Sequence, residues 1–364
     1  MPEPKSPQKI HLKLSPQAER YARRDAPHEA RLMAARGALP LPPIELATVL
    51  FVLHHDADPE IKDLALASLE SLPDAICDAV LTGPAHPALI SHLAHSFREK
   101  PDRLEKIALN PATDDATIAF LAGLPCKQIV DIISNNQERM LRAPEIVDAL
   151  GNNPLTGRVV IDRILSFLGL QGTEAKAEGS DDTGGSDAIS DADAEAALRA
   201  ILGEELGQFA KVLVQETGGE GQEDDESEGS LYALVQKMSV FQKIKLTRMG
   251  NKEARGLLVR DRNKIVAMAA VSSPKITDAE AITMAQSRNV ADDILRYVAN
   301  KREWTKNYQV KLALSMNPRC PQSASMKFIN YLQDRDLKAM MRSKDIPSVI
   351  STHARRILAQ KGKI

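Results

Sequence analysis

A chain of 364 residues that is 43% hydrophobic yet only 4% aromatic, with a single Trp, is long enough for two domains whose cores must be built from Leu, Ile, Val, Ala and Met. Such cores suit stacked helices better than a β-sandwich. The formal charge of −2 hides a split: residues 171–230 carry 3 basic against 17 acidic side chains, a net of −14, while residues 231–364 carry 26 against 10, a net of +16.

The opening M-P-E-P-K-S-P-Q-K-I-H-L-K-L places charges and prolines where a secretory signal needs an apolar core, and no later run approaches a membrane span. Cys77, Cys126 and Cys320 are odd in number, far apart and set in apolar runs, so they read as reduced core residues. These observations predict a cytoplasmic protein.

Residues 1–43 read as a loose arm followed by a capping helix, in which Ser15 caps, Pro16 takes the first helical position, and Gly37 with Pro40, Pro42 and Pro43 closes the segment. A first helical block spans 44–170. Apolar residues recur at helical spacing over 44–53 and 61–72, with Asp58-Pro59 as the cap and first-turn pair between them. Further helices are expected over 73–82, 87–97, 101–109, 114–123, 125–134, 143–150 and 156–168. Asn135-Asn136-Gln137 sits where a corner is due and reads as a helix cap in preference to a groove lining.

Residues 171–230 form an acidic insert. Its Gly- and Ser-rich stretches, 178–190 and 217–230, bury too little apolar area to offset the entropy of ordering and are expected to be disordered. Between them, about 192–216, Ala197, Leu198, Ile201, Leu202, Leu206, Phe209, Val212 and Leu213 fall at helical spacing, a helix that docks back on a block or on a partner.

Residues 231–364 are a second, basic block that contains the clearest repeat. V-A-M-A-A-V-S-S-P-K-I-T, Val266 to Thr277, returns 44 positions later as V-K-L-A-L-S-M-N-P-R-C-P, Val310 to Pro321, with Pro274 over Pro318. Each copy is an apolar run stopped by Ser or Asn with Pro, followed by a residue that suits the opening of the next helix. The same corner recurs at Gly83-Pro84, Asn110-Pro111 and Asn153-Pro154. Recurrence at this period predicts an all-α fold, an α-solenoid of helical hairpin repeats in two blocks.

The N-P-x-T corners followed by A-T-I-A-F-L-A or R-V-V-I-D-R-I-L resemble bacterial helical repeats of the leucine-rich-repeat-variant and HEAT-like kind. The run Gly250 to Asp261, with Ser287 to Val290, Arg302 to Leu314 and Ser343 to Pro347, resembles uncharacterised bacterial proteins of that sort. The resemblance covers roughly 45–170 and 231–360, and it implies an α-solenoid and no chemistry, since such solenoids serve many partners.

No G-x-x-x-x-G-K-[ST], H-E-x-x-H, G-x-S-x-G or C-x-x-C occurs, and neither an enzyme nor a cofactor is expected. His86, His92 and His95 cluster, and His92 and His95 share a helical face. Without a cysteine or carboxylate at metal-site spacing they stand only as an option for a metal. His54 and His55, being adjacent, should point to different faces.

The expected function is a non-catalytic scaffold that holds a protein or peptide partner, acidic ones included, in a solenoid groove, with the acidic insert regulating access. The alternative is a nucleic-acid-binding protein. There, Lys243, Lys245, Arg248, Arg260, Arg262, Lys301, Arg302, Lys306 and Lys311 would meet phosphates, and Trp304, in K-R-E-W-T-K-N-Y, would be either a base platform or a core wedge.

Overall fold

A computed structural model of the protein describes residues 12, 14–23, 25–168, 191–214, 225–343 and 345–362. Among these residues every regular element is a helix, 25 in all, and none is long and apolar enough to cross a membrane. The chain divides into two compact units, residues 1–160 and 161–364.

The first unit opens with α1 (Pro16–Ala22) and α2 (His28–Ala35). α1 is the expected capping helix: the Ser15 hydroxyl accepts from the Ala18 N–H at 3.3 Å and donates to Glu45 at 2.7 Å. α2 was not foreshadowed, because its fully buried side chains, Ala34 and Ala35, are too small to mark an apolar stripe. Gly37 ends it at φ 72°, a backbone state that glycine adopts without strain.

Next come α3 (Pro43–Leu53), α4 (Pro59–Glu70), α5 (Asp74–Thr82), α6 (Pro87–Ser96), α7 (Pro101–Leu109), α8 (Asp115–Gly123), α9 (Lys127–Ser134), α10 (Gln137–Arg142) and α11 (Pro144–Asn152). Proline starts many of them because its missing N–H would be unpaired there anyway and its fixed φ suits a helix. α3 is apolar nearly all round, and Leu46 through Phe51 are all buried as it packs against α1, α2, α4, α5 and α6. α10 is a difference from expectation: a short helix stands where only a corner was read. Asn136 caps it, accepting from the Arg139 N–H at 3.2 Å.

The division between the units falls in α12 (Arg158–Phe167). The second unit then carries α13 (Asp191–Gly207), α14 (Ala210–Val214), α15 (Asp225–Lys237), α16 (Val240–Met249), α17 (Lys252–Val259) and α18 (Lys264–Val271). The amphipathic run of the insert is thus two helices. It folds back on its own unit, α13 packing on α14 and α16 with Ala194, Leu198 and Leu202 buried. Asn251 fastens the end of α14, its backbone N–H donating to Leu213 O at 2.7 Å and its side chain to Val212 O at 3.0 Å. Residues 178–190 and 217–224, expected to be disordered, lie outside the described residues. Residues 225–230, given the same expectation, instead form the first turns of α15.

Every residue of α18 from Ile265 to Val271 is buried, as the helix packs against α16, α17 and α20 (Asp292–Asn300). α19 (Asp278–Gln286) precedes α20 and begins at a capping box of Thr277 and Glu280. The unit continues through α21 (Arg302–Lys306), α22 (Tyr308–Met316), α23 (Gln322–Ile329), α24 (Asp334–Arg342) and α25 (Ser348–Gln360). Its C-terminal core gathers Ile329, Leu332, Leu337, Met340, Ile350 and Leu358.

One lock recurs at the Asn-Pro corners. Asn110 donates its side-chain amide to Leu81 O and Gly83 O at the end of α5, Asn153 to Ala122 O and Leu124 O at the end of α8, and Asn317 to Ala285 O and Ser287 O at the end of α19. In each, the side-chain oxygen accepts the N–H two residues on. A helix C-terminus leaves carbonyls unpaired, and these asparagines satisfy two of them from a neighbouring helix. At Ser273, which aligns with Asn317, the shorter side chain is buried and its oxygen has no partner.

The cysteines are all free thiols. Cys77 and Cys320 are buried, and burial pushes both thiols up from their ordinary pKa. Cys126 departs from the core expectation: it is the N-cap residue of α9 and partly exposed, since that position lies outside the helix.

Candidate functional site

In the first unit the ends of α7 and α9, the body of α8 and the start of α10 enclose an open cleft of about 660 Å³. Ala108, Ile118, Ile132 and Ile133 supply apolar wall, and Asn135, Asn136, Gln137, Arg139 and Arg142 supply a polar rim. Leu109 lies at its edge, 63% exposed. The Asn135-Asn136-Gln137 cluster therefore both caps a helix and lines a groove, which a local reading had set against each other.

The rim is rigidly built. Arg139, 9% exposed, reaches back to the Asn110 corner and donates to Thr113 O at 2.7 Å, Asn110 O at 3.2 Å and Pro111 O at 3.3 Å. Arg142 forms a two-pronged contact with Asp115, both N–O distances 2.7 Å, and this hydrogen bonding is the main reason that the Asp115 carboxyl is held below the usual range. Arg139 stands 3.6 Å from the same carboxylate. With Glu138 on the rim as well, two cations face two anions, so the cleft is charge-balanced, apolar in its wall and amide-rich at its mouth.

The cations read from the sequence fall in two groups in the second unit. Lys243, Lys245 and Arg248 lie on α16, Arg260 and Arg262 follow α17, and these elements pack together. Lys243 is spent on Asp261 at 2.8 Å with both side chains largely covered, whereas Lys245, Arg248, Arg260 and Arg262 are exposed. In the second group Lys301, Arg302, Trp304 and Lys306 belong to α21 and its cap, with Lys311 on the adjoining α22. Trp304 is 3% exposed, edge-on to Tyr297 with ring centroids 6.1 Å apart and the Lys301 ammonium 4.5 Å from its ring centroid. A ring so placed offers no face to a base, and its role is the core wedge.

The most exposed aromatic among the described residues of this unit, ahead of Tyr232 at 55% and Phe209 at 37%, is one that the sequence did not flag. Tyr331, 67% exposed, follows α23 with the Lys311 ammonium 5.2 Å from its ring centroid. Ile329 and Leu332 on either side are buried, so the backbone is pinned while the ring is turned out. No local pattern marks it, because a Tyr in an apolar run reads as core until its neighbours take the core positions.

The histidines regroup. His86 caps α6, its Nδ1 accepting from the Ala88 N–H at 3.2 Å, and His95 stacks on Phe120 with centroids 3.9 Å apart. His92 instead meets His54 across α3 and α6, centroids 5.1 Å apart, with Phe51 at 5.4 Å. His54 and His55, expected on different faces, are 5.0 Å apart, because His54 is already the C-cap residue of α3. Burial first, then the charges of His54, His55 and His95, depresses His92 to about 4; burial and His55 depress His54. Among the described residues no group of three or more His, Cys, Asp or Glu is placed to hold a metal ion.

No protein-family model matches this chain, and no curated protein or solved structure matches it either.

Proposed function

We propose that the chain is a non-catalytic interaction scaffold, an α-solenoid of the leucine-rich-repeat-variant or HEAT-like kind, whose cleft in the first unit holds an extended peptide segment of a partner protein. The carrying observation is the cleft itself: an apolar wall beside a rim of Asn135, Asn136, Gln137 and balanced charges. An exposed side-chain amide such as that of Gln137 offers both a donor and an acceptor, the pair needed to read a peptide backbone, and an apolar wall takes the side chains between. The recurring asparagine lock supports the solenoid reading, since it joins each of the three Asn-Pro corners to an earlier helix by the same two hydrogen bonds. A reducing cytoplasm suits the three free thiols.

The test is selection of peptides from a displayed random library on the full chain, followed by Gln137→Ala, Leu109→Glu and Ile132→Glu. Selected peptides should lose tenfold or more in affinity with each substitution. Recovery of no peptide, or of peptides indifferent to all three, would sink the proposal. A second reading, nucleic-acid binding through the basic C-terminal block, is favoured by one observation, the exposed Tyr331 beside Lys311.

A further inference from the structure

We propose that Tyr331 and Lys311 form a stacking platform for single-stranded nucleic acid on the second unit. The inference rests on the nucleic-acid reading of this block and is independent of the peptide cleft in the first unit. It starts from an energetic oddity: a ring 67% exposed, mounted between buried Ile329 and Leu332, on a turn closed by Tyr331 N–H to Phe328 O at 2.9 Å and Leu332 N–H to Ile329 O at 3.1 Å. That turn is anchored in the C-terminal core, so the ring is presented on a rigid base.

The charges around it are one-sided. Lys311 lies 5.2 Å from the ring centroid, and Lys327, exposed, sits four residues earlier at the end of α23. The two acids that follow are engaged: Asp334 with Lys361 at 2.9 Å, and Asp336 with the Tyr308 hydroxyl. Arg335 between them is 90% exposed and only 3.7 Å at closest from Asp336, so it remains able to turn to an anion. An exposed ring with an ammonium over it, and with the neighbouring carboxylates already hydrogen-bonded, combines the stacking surface and the cation that a base and its flanking phosphate require together. An acidic peptide would use the cations, but only a nucleic acid carries a flat aromatic group beside every charge. A duplex keeps its bases stacked within itself, and that favours the single strand.

The experiment is fluorescence anisotropy with the full chain and a labelled oligothymidylate, its duplex form and a polyglutamate of equal charge, across a salt series. Expected is tighter binding of the single strand than of either competitor, and a loss of about tenfold or more in Tyr331→Ala with no change in salt slope. Tyr331→Phe should bind as the unaltered chain does, and Lys311→Gln should reduce the salt slope by about one contact. Because Tyr331 is exposed, its loss leaves the core untouched, which circular dichroism checks. Absence of oligothymidylate binding at low salt overturns both this placement and the nucleic-acid reading. Binding that ignores Tyr331→Ala overturns the platform alone, and polyglutamate binding with the same dependence on Tyr331 overturns the choice of ligand.

Discussion

The side-chain amide of Asn153 donates to the carbonyl oxygen of Ala122 at 2.7 Å, across 31 residues of chain. The same amide reaches Leu124 O at 2.7 Å while its oxygen takes the Leu155 N–H at 2.9 Å, all within a site where Asn153 is 1% exposed. Asn153→Ala removes three hydrogen bonds, two of them buried, and strands their partners, a loss of about 2–4 kcal/mol in urea unfolding. Asn153→Asp should be worse near neutral pH, since a carboxylate then faces two carbonyl oxygens. A loss under about 0.5 kcal/mol would mean that the lock is not structural.

Arg255 and Glu280, 3% and 6% exposed at their side chains, form a buried ion pair at 3.0 Å. Arg255 also donates to Gly250 O at 2.8 Å, and Glu280 accepts from the Thr277 N–H at 2.8 Å. Burial pushes the Glu280 carboxyl up most strongly, but Arg255 and Thr277 together outweigh it and hold the carboxyl below its usual range. A depressed carboxyl stabilises the fold above its unfolded pKa, and that contribution fades as pH falls toward the folded value. Arg255→Met leaves the carboxylate unpaired and should cost about 3–5 kcal/mol at neutral pH. The gap to the unaltered chain should narrow as pH falls below neutral, as the stranded carboxyl, pushed up by burial, takes up a proton; a gap that stays constant would count against this account.

His92 acts with the opposite sign. Its folded pKa of about 4 lies below the ordinary 6.5, so the unfolded chain binds the extra proton first and stability falls as pH drops from about 6.5 toward 4. The effect should be on the order of 2 kcal/mol, discounted for partial access to solvent. His92→Phe, which keeps a ring beside Phe51 and His54, should flatten the pH dependence of the melting temperature over that window. An unchanged slope would place the titration elsewhere.

Two glycines should respond in opposite directions to alanine. Gly37 holds φ 72°, so Gly37→Ala should lower stability by about 1 kcal/mol even though the nearest atom to an added Cβ, Ser68 Cβ, lies at an ordinary 3.8 Å. Gly256 is inside α17 with nothing within 4 Å of an added Cβ, and Gly256→Ala should raise stability by about 0.5–1 kcal/mol. Thermal melts of the pair would contradict this if both moved the same way.

Much of the helix map was legible because its signals act over a few residues. Ser15-Pro16 and Asp58-Pro59 start α1 and α4 by satisfying N–H groups within one turn, and Thr277 with Glu280 does so for α19. α2 and α10 were missed for a related reason: α2 buries mainly small side chains, and α10 is only 6 residues long, too short to show a period.

The candidate sites were much less legible. Asn135, Asn136 and Gln137 were visible as a polar cluster, but Leu109, Ile118 and Arg139 join them only through packing of α7, α8 and α10. Sequence alone determined where many helices of the first block begin, which asparagines stand at the corners, and that the last third of the chain is basic, because these depend on neighbours in the chain and on composition. Tertiary structure decided that Trp304 is buried and Tyr331 is not, that Lys243 is neutralised by Asp261, and that His92 answers to His54 in place of His86. Burial and pairing are set by residues far apart in the chain, and a side chain's chemistry follows from what finally surrounds it.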